Sequence, residues 1–210
     1  MGYAAVISWP ETLCKQASSW YDPVLKLFRI NKNGYYKVGH SAMVLIDKTN
    51  GECKYFDFGR YQTPLGYGRV RDAITDSDLK LTSIVEIDSN GIPNMEELTI
   101  ELTNKEACNG IGNPVLGIAR VDYDEVIDRI KIFQQQNFIP YGPFVRNGTN
   151  CSRFVRDSVM AGLDKRLLRF MLKYPWTYTP SPTGLVKIIT RFDNSANEEY
   201  KLTNPLYEIV

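Results

Sequence analysis

The chain holds a single histidine, His40, among 210 residues. Any imidazole chemistry therefore has one source. The four cysteines, Cys14, Cys53, Cys108 and Cys151, stand far apart, and with one histidine they make no zinc-ligand spacing. No metal and no other cofactor is expected. No run approaches the roughly 18 apolar residues that would cross a bilayer, so no transmembrane segment is expected. No charge dominates: 25 basic against 24 acidic residues leave a net charge of +1. That balance offers no surface for a polyanion, and nucleic acid is excluded as a partner. No basic stretch followed by an apolar run opens the chain, so no leader peptide is expected. The simplest setting is then cytoplasmic, with reduced thiols, and the triplets at Asn147 and Asn150 are not glycosylation sites there. Repeats, low-complexity tracts and linkers are also missing. What is present, 43% hydrophobic and 12% aromatic residues, suffices for one core. One domain over residues 1–210 is expected, with a small insertion accommodated around 61–112.

The stretch Gly148-Thr-Asn-Cys-Ser-Arg-Phe-Val-Arg-Asp-Ser-Val-Met-Ala-Gly162 reads as a helix. Asn150 is a good N-cap, Val155 and Val159 recur at helical spacing with Phe154 and Met160 beside them, and Gly162 can end it. Cys151 then takes the first helical position. Free N–H groups and the positive end of the dipole favour thiolate there. A buried structural cysteine fits the same position equally well.

His40 lies in Lys37-Val-Gly-His-Ser-Ala-Met-Val-Leu-Ile-Asp47, a glycine followed by an apolar strand. Asp47-Lys-Thr-Asn-Gly51 is turn chemistry, and Cys53-Lys-Tyr-Phe-Asp-Phe-Gly59 is the return strand of a hairpin. Asp57 is a carboxylate among aromatics on that strand. A two-residue Asn50-Gly51 turn puts His40 and Asp57 on one face but offset. A four-residue loop over 47–50 puts them directly opposite. An odd loop separates the faces, and Gln62 becomes the better polar candidate.

Elsewhere the pattern predicts a strand over Tyr3–Ser8, a helix from Pro10 to about Trp20, an unsettled apolar piece over Val24–Ile30 and a turn over Asn31–Gly34. Residues 61–79 read as a polar loop; their Gly66-Tyr-Gly68 lacks the strand and helix a nucleotide loop needs. Lys80–Ile87 reads as a strand and Asn94–Thr103 as a short helix with Met95, Leu98 and Ile100 on its apolar side. A strand over Pro114–Val121 and an amphipathic helix over Asp122–Gln136 follow. Pro140-Tyr141-Gly-Pro-Phe is an irregular link into the cysteine helix; Tyr141 either lines a pocket or simply packs on the core. Asp164–Tyr174 continues helical with a basic, solvated face. Pro175–Pro182 is an extended loop, Gly184–Arg191 a short strand or helix, and the tail Tyr207–Val210 is strand-like.

Gly39-His40-Ser-Ala-Met-Val-Leu-Ile together with Asn150-Cys151-Ser-Arg-Phe-Val resembles the circularly permuted papain-like group: the permuted NlpC-type cysteine hydrolases and, more distantly, the lecithin:retinol acyltransferase-like enzymes. Histidine precedes cysteine here by 151 − 40 = 111 positions, the order of the permuted group. Phe56-Asp57-Phe58 matches the place of that family's third polar residue, and Pro140-Tyr141 matches a proline-tyrosine before the cysteine in the hydrolase branch. The likeness covers about a third of the chain. It implies an α+β fold, an antiparallel sheet packed against helices with the cysteine at a helix start. It also implies a Cys151–His40–Asp57 triad acting through an acyl-thioester, with Tyr141 and Gln62 at the substrate. A peptide, amide or other acyl compound would be the substrate, and a peptidase or amidase the first reading. The alternatives are an inactive module that binds a peptide or glycan, and a lipid acyltransferase or thioesterase. Substrate identity and oligomeric state are not encoded in these motifs.

Overall fold

The computed structural model describes residues 1–15, 31–32, 34–89, 93–173 and 179–192. Among the described residues, nine strands run in chain order: β1 (Gly2–Trp9), β2 (Leu13–Lys15), β3 (Asn31–Lys32), β4 (Tyr35–Lys37), β5 (His40–Asp47), β6 (Cys53–Gly59), β7 (Tyr67–Arg71), β8 (Val115–Val121) and β9 (Ile139–Pro140). The α-helices are α1 (Glu96–Asn104), α2 (Tyr123–Gln134), α3 (Cys151–Ala161), α4 (Arg166–Lys173) and α5 (Pro182–Phe192). Six strands form one sheet in the order β8-β1-β5-β6-β7-β9, every neighbouring pair antiparallel; β2-β4-β3 form a small second sheet. The expected α+β class, with an antiparallel sheet against helices, is what the chain adopts.

The large sheet is covered on both faces, so its central strands are apolar throughout rather than alternating. From β1, Ala4 and Val6 turn to one layer with Met43, Leu45, Phe56 and Phe58. Helices α2 to α5 close that layer through Ile130, Phe133, Phe154, Val155, Leu168 and Leu185. The other residues of β1, Tyr3, Ala5, Ile7 and Trp9, join Ala42, Val44 and Tyr55 in a second layer. That layer is closed by Leu79, Leu81, Val85 and by Leu98 and Leu102 of α1.

The hairpin β5–β6 sets the register of the site. Ile46 faces Cys53, and the Asp47 amide donates to the Glu52 carbonyl at 3.0 Å, leaving a four-residue loop over 48–51. The Asp47 carboxylate accepts from the Thr49 amide (2.8 Å) and hydroxyl (2.6 Å), and Gly51 takes φ 71° to close it. The loop sits one residue later than 47–50, so His40 and Asp57 share a face but are offset: Asp57 is opposite Ala42.

Helix α3 begins where its cap dictates. The Asn150 side-chain oxygen accepts from the Arg153 amide at 2.9 Å. Its end at Gly162 depends on close approach rather than on left-handed backbone, since φ is −94°. A Cβ there would lie 2.4 Å from the Asp122 carbonyl oxygen, and Asp122 in turn caps α2 by accepting from the amides of Asp124 and Glu125.

Several expectations are corrected. Leu13–Lys15 is strand, not helix, because pairing with β4 overrides local propensity; residues 16–20 and Val24–Ile30 lie outside the described residues. Of the turn over Asn31–Gly34, Asn31–Lys32 is strand β3, and Gly34 keeps the turn with φ 82°. The stretch read as a polar loop over 61–79 contains β7, which pairs with β6. Gly68 belongs there because a Cβ would lie 2.7 Å from the Phe58 ring. Lys80–Ile87 forms only isolated bridges, Ile84 to Glu52 and Ile87 to Pro93. Leu81 and Val85 instead insert singly into the second layer, while Ile84 is exposed. Ile100 is exposed, and Leu98 with Leu102 carries the buried side of α1. Gly184–Arg191, open between strand and helix in sequence, lies within helix α5. Most of the Pro175–Pro182 loop and the Tyr207–Val210 tail lie outside the described residues.

Phe154 is fully buried, its ring 5.3 Å from Phe133 and 6.1 Å from Phe58. Phe154→Ala is expected to cost about 3–5 kcal/mol of stability, read by denaturant unfolding; a loss under about 1 kcal/mol would show that α3 is not seated on the sheet as described.

Candidate active site

One end of the large sheet gathers the site. Trp9 ends β1 and pairs with His40, the first residue of β5. The two rings stack, centroids 5.9 Å apart at 21°. Helix α3 packs on the sheet's other face, but at the sheet's end its start reaches His40. The Cys151 thiol lies close enough to the His40 ring for each to act on the other's charge, and the Ser41 amide acts on the sulfur too. His40 Nε2 faces Asp57 Oδ2 at 3.4 Å, which leaves Nδ1 as the ring's other nitrogen. Of the three residues expected from sequence, His40 and Asp57 are in contact, and Cys151 lies close enough to shift the His40 pKa.

Asp57 is wholly buried and densely satisfied. Arg71, its cross-strand neighbour, donates Nε to Oδ1 at 3.0 Å and Nη2 to Oδ2 at 2.6 Å. The hydroxyls of Tyr55 (3.2 Å) and Tyr61 (3.3 Å) also donate to Oδ2. The Arg71 guanidinium lies over the Tyr61 ring, 3.4 Å from its centroid. Burial works to raise the Asp57 pKa, but the bonds from His40 and Arg71 outweigh it and hold the carboxyl below its ordinary value. The same bond to Asp57 outweighs burial at Arg71 and holds it charged.

Opposed effects act on the sulfur and the ring too. Burial favours neutral Cys151, yet the neighbouring His40, with Ser41 and Ser152, brings its pKa below the ordinary thiol value. Burial favours neutral His40, yet Asp57 and Cys151 outweigh it and raise the imidazole to about 9. Each partner stabilises the other's charged form, so thiolate and imidazolium are mutually favoured. The other three thiols go the opposite way: burial pushes Cys14 and Cys53 up to about 12 and Cys108 to about 11.

Tyr141 is half-buried, its ring parallel to Phe58 at 5.9 Å and beneath the Arg60 guanidinium at 5.2 Å. It is near enough to Tyr61 to affect that phenol, on the rim of the site. Gln62 is exposed, in left-handed backbone with φ 51°. The ring's Nε2 contacts go to Asp57 and Tyr61 instead. Arg71 and Tyr61 were missed from sequence, because the segment that carries them was read as loop. A signal did exist: a carboxylate between two phenylalanines on a buried strand requires a cation, and the arginines that follow are Arg60, Arg69 and Arg71. Among the described residues no cluster of His, Cys, Asp and Glu could hold a metal ion.

Fold and site together define an α+β protein with a cysteine at a helix start against a histidine on a strand. The chain belongs to the type VI secretion system effector TseH-like family, whose pattern it matches over residues 4–167. Its fold is similar to the crystal structure of the type VI secretion system effector TseH, at 20% identity and TM-score 0.57, with 93% of this chain and 89% of that one covered. No curated protein matches it by sequence. No helix among the described residues is long and apolar enough to cross a membrane.

The Arg71–Asp57 pair makes a pH prediction. Asp57 has a folded pKa below its unfolded value of about 3.9. Its contribution to stability is complete above that value and is lost as pH falls through the folded one. Arg71→Met leaves the carboxylate buried without its cation. A loss of about 3–5 kcal/mol is expected, with the acid-unfolding midpoint moved to higher pH in circular dichroism. An unmoved midpoint would show that the pair does not hold Asp57 ionised.

Proposed function

We propose that the chain is a cysteine hydrolase of this effector family, a peptidase or amidase acting through Cys151, His40 and Asp57. One observation carries the reading. Of four cysteines, the one shifted toward thiolate stands at a helix start and lies beside the only histidine in the chain.

The chemistry follows from the contacts. The Cys151 thiolate attacks the substrate carbonyl carbon, and the carbonyl π electrons move to oxygen. The Cys151 backbone N–H, free at the first turn of α3, is one donor for that oxyanion. His40 gives its Nδ1 proton to the leaving amine, the carbon–nitrogen bond breaks, and an acyl-thioester remains. Neutral His40 then takes a proton from water, whose oxygen attacks the thioester and releases the acid and the thiolate. Asp57 accepts from Nε2–H throughout and holds the ring in the tautomer that turns Nδ1 to sulfur. Tyr141 forms one wall for the substrate, with Gln62 at the outer rim.

The chain order supports the permuted papain-like reading: the histidine strand comes before the cysteine helix, and the thiol lies near enough to act on the ring. Membership of an effector family favours a hydrolase exported to act on a target outside its own cytoplasm, in place of the cytoplasmic setting expected from the thiols. An amide substrate is preferred over a lipid ester because the proline-tyrosine before the cysteine belongs to the hydrolase branch.

A peptidyl acyloxymethyl ketone tests the assignment, with adducts mapped by mass spectrometry. The wild type is expected to label at Cys151, with no label in Cys151→Ala. His40→Ala should slow labelling by about 10²–10⁴-fold, the range of acid–base catalysis, with its far-ultraviolet spectrum unchanged. Label that persists in Cys151→Ala would remove the nucleophile. A folded wild type that does not label would leave the binding-module reading in its place.

A further inference from the structure

Tyr61 is held from several sides, and its one polar atom ends at the site. Its backbone carbonyl accepts from Arg69 Nε at 2.8 Å, and Arg69 is itself fixed by a two-bond pair with Asp76, at 2.7 and 2.8 Å. One face of its ring carries the Arg71 guanidinium. Gly59 lies against the ring edge so closely that a Cβ there would be 2.3 Å from it. The hydroxyl so placed is 3.4 Å from His40 Nε2 and 3.3 Å from Asp57 Oδ2.

Those distances matter because the acid is not the ring's own. Asp57 Oδ2 is 2.6 Å from Arg71 and 3.4 Å from His40. The short, charge-assisted bond belongs to the arginine, while the bond to the ring is longer than the usual 2.7–3.2 Å or so. A carboxylate committed to Arg71 restrains the imidazole weakly. A second oxygen beside Nε2 completes the restraint: Nε2–H is shared between Oδ2 and the phenol oxygen, while the phenol O–H is donated to Oδ2.

We propose that Tyr61 is a positioning residue of the site, a phenol that bridges Nε2 of His40 to Asp57 and fixes the ring with Nδ1 toward Cys151. The inference rests on the catalytic reading above and deepens it. Arg71 is the clamp behind it: it binds the acid on one side and covers the phenol ring on the other. No group here changes protonation for the role. The phenol keeps its proton, because burial and the Asp57 charge both raise its pKa well above the ordinary value. Tyr55 is the internal comparison, since its hydroxyl donates to the same Oδ2 at 3.2 Å but makes no bond to the ring.

The test needs no substrate. The rate of Cys151 alkylation by iodoacetamide is followed from pH 5 to 9 or so, across the thiolate titration, in wild type, Tyr61→Phe and Tyr55→Phe. Tyr61→Phe keeps the ring under Arg71 and removes only the hydroxyl. Its rate near pH 6 is expected to fall about two- to tenfold, the size of one net hydrogen bond, with the profile moved to higher pH and the melting temperature little changed. Tyr55→Phe should move the profile less. A Tyr61→Phe profile that overlays the wild type, or equal displacement by both phenylalanines, overturns the proposal while leaving the nucleophile standing. A wild type whose Cys151 alkylates only as an ordinary thiol, with half-maximal rate near pH 8.5, overturns the catalytic reading and this proposal together.

Discussion

A buried carboxylate with more partners than it has oxygens governs this end of the molecule. Asp57 is sealed between strands, and removing its charge from water costs several kcal/mol unless it is paired. Arg71 supplies the pairing from the adjacent strand, two tyrosines supply further donors, and the histidine takes what remains. Because β7 must run beside β6 to deliver Arg71, the sheet's strand order and the site's electrostatics are one constraint. The covered second face serves it as well: it keeps water from a carboxylate that would otherwise be screened.

The sulfur is tuned by opposed effects rather than by a single one. Burial alone would leave Cys151 protonated, as it leaves Cys14, Cys53 and Cys108. What differs at Cys151 is a helix start beneath it and an imidazole against it. The helix start comes from local sequence, through the Asn150 cap. The imidazole comes from a strand 111 positions earlier, delivered by the sheet. Chemistry that depends on their meeting therefore depends on the packing of α3 against β5 and β6 and on the Phe154 contacts that seat it.

How much of this could be read in the residues follows from how far each rule reaches. The cap and apolar stripe of α3 are local, and the helix starts at Cys151 as its sequence indicates. The His40–Asp57 face was readable by parity: a hairpin loop of even length keeps both on one side, whichever residues occupy it. The offset was not readable, because Asp47, Asn50 and Gly51 can each close a turn in more than one register. Tyr61 and Arg71 escaped because Gly66 and Gly68 look like loop residues; Gly68 is in fact a strand glycine pressed by Phe58. The helix expected after Pro10 failed for a related reason. Leu13–Lys15 is captured by β4, a pairing that no local pattern announces.

Because the chain has one histidine, its ring gives a single pair of nuclear magnetic resonance signals, and their titration tests the central pairing directly. The ring is expected to titrate at about 9 in the wild type and at lower pH in Cys151→Ala, where the neighbouring sulfur is gone. A ring that titrates near its ordinary value of about 6.5, unmoved by loss of Cys151, would show that sulfur and imidazole do not hold one another charged.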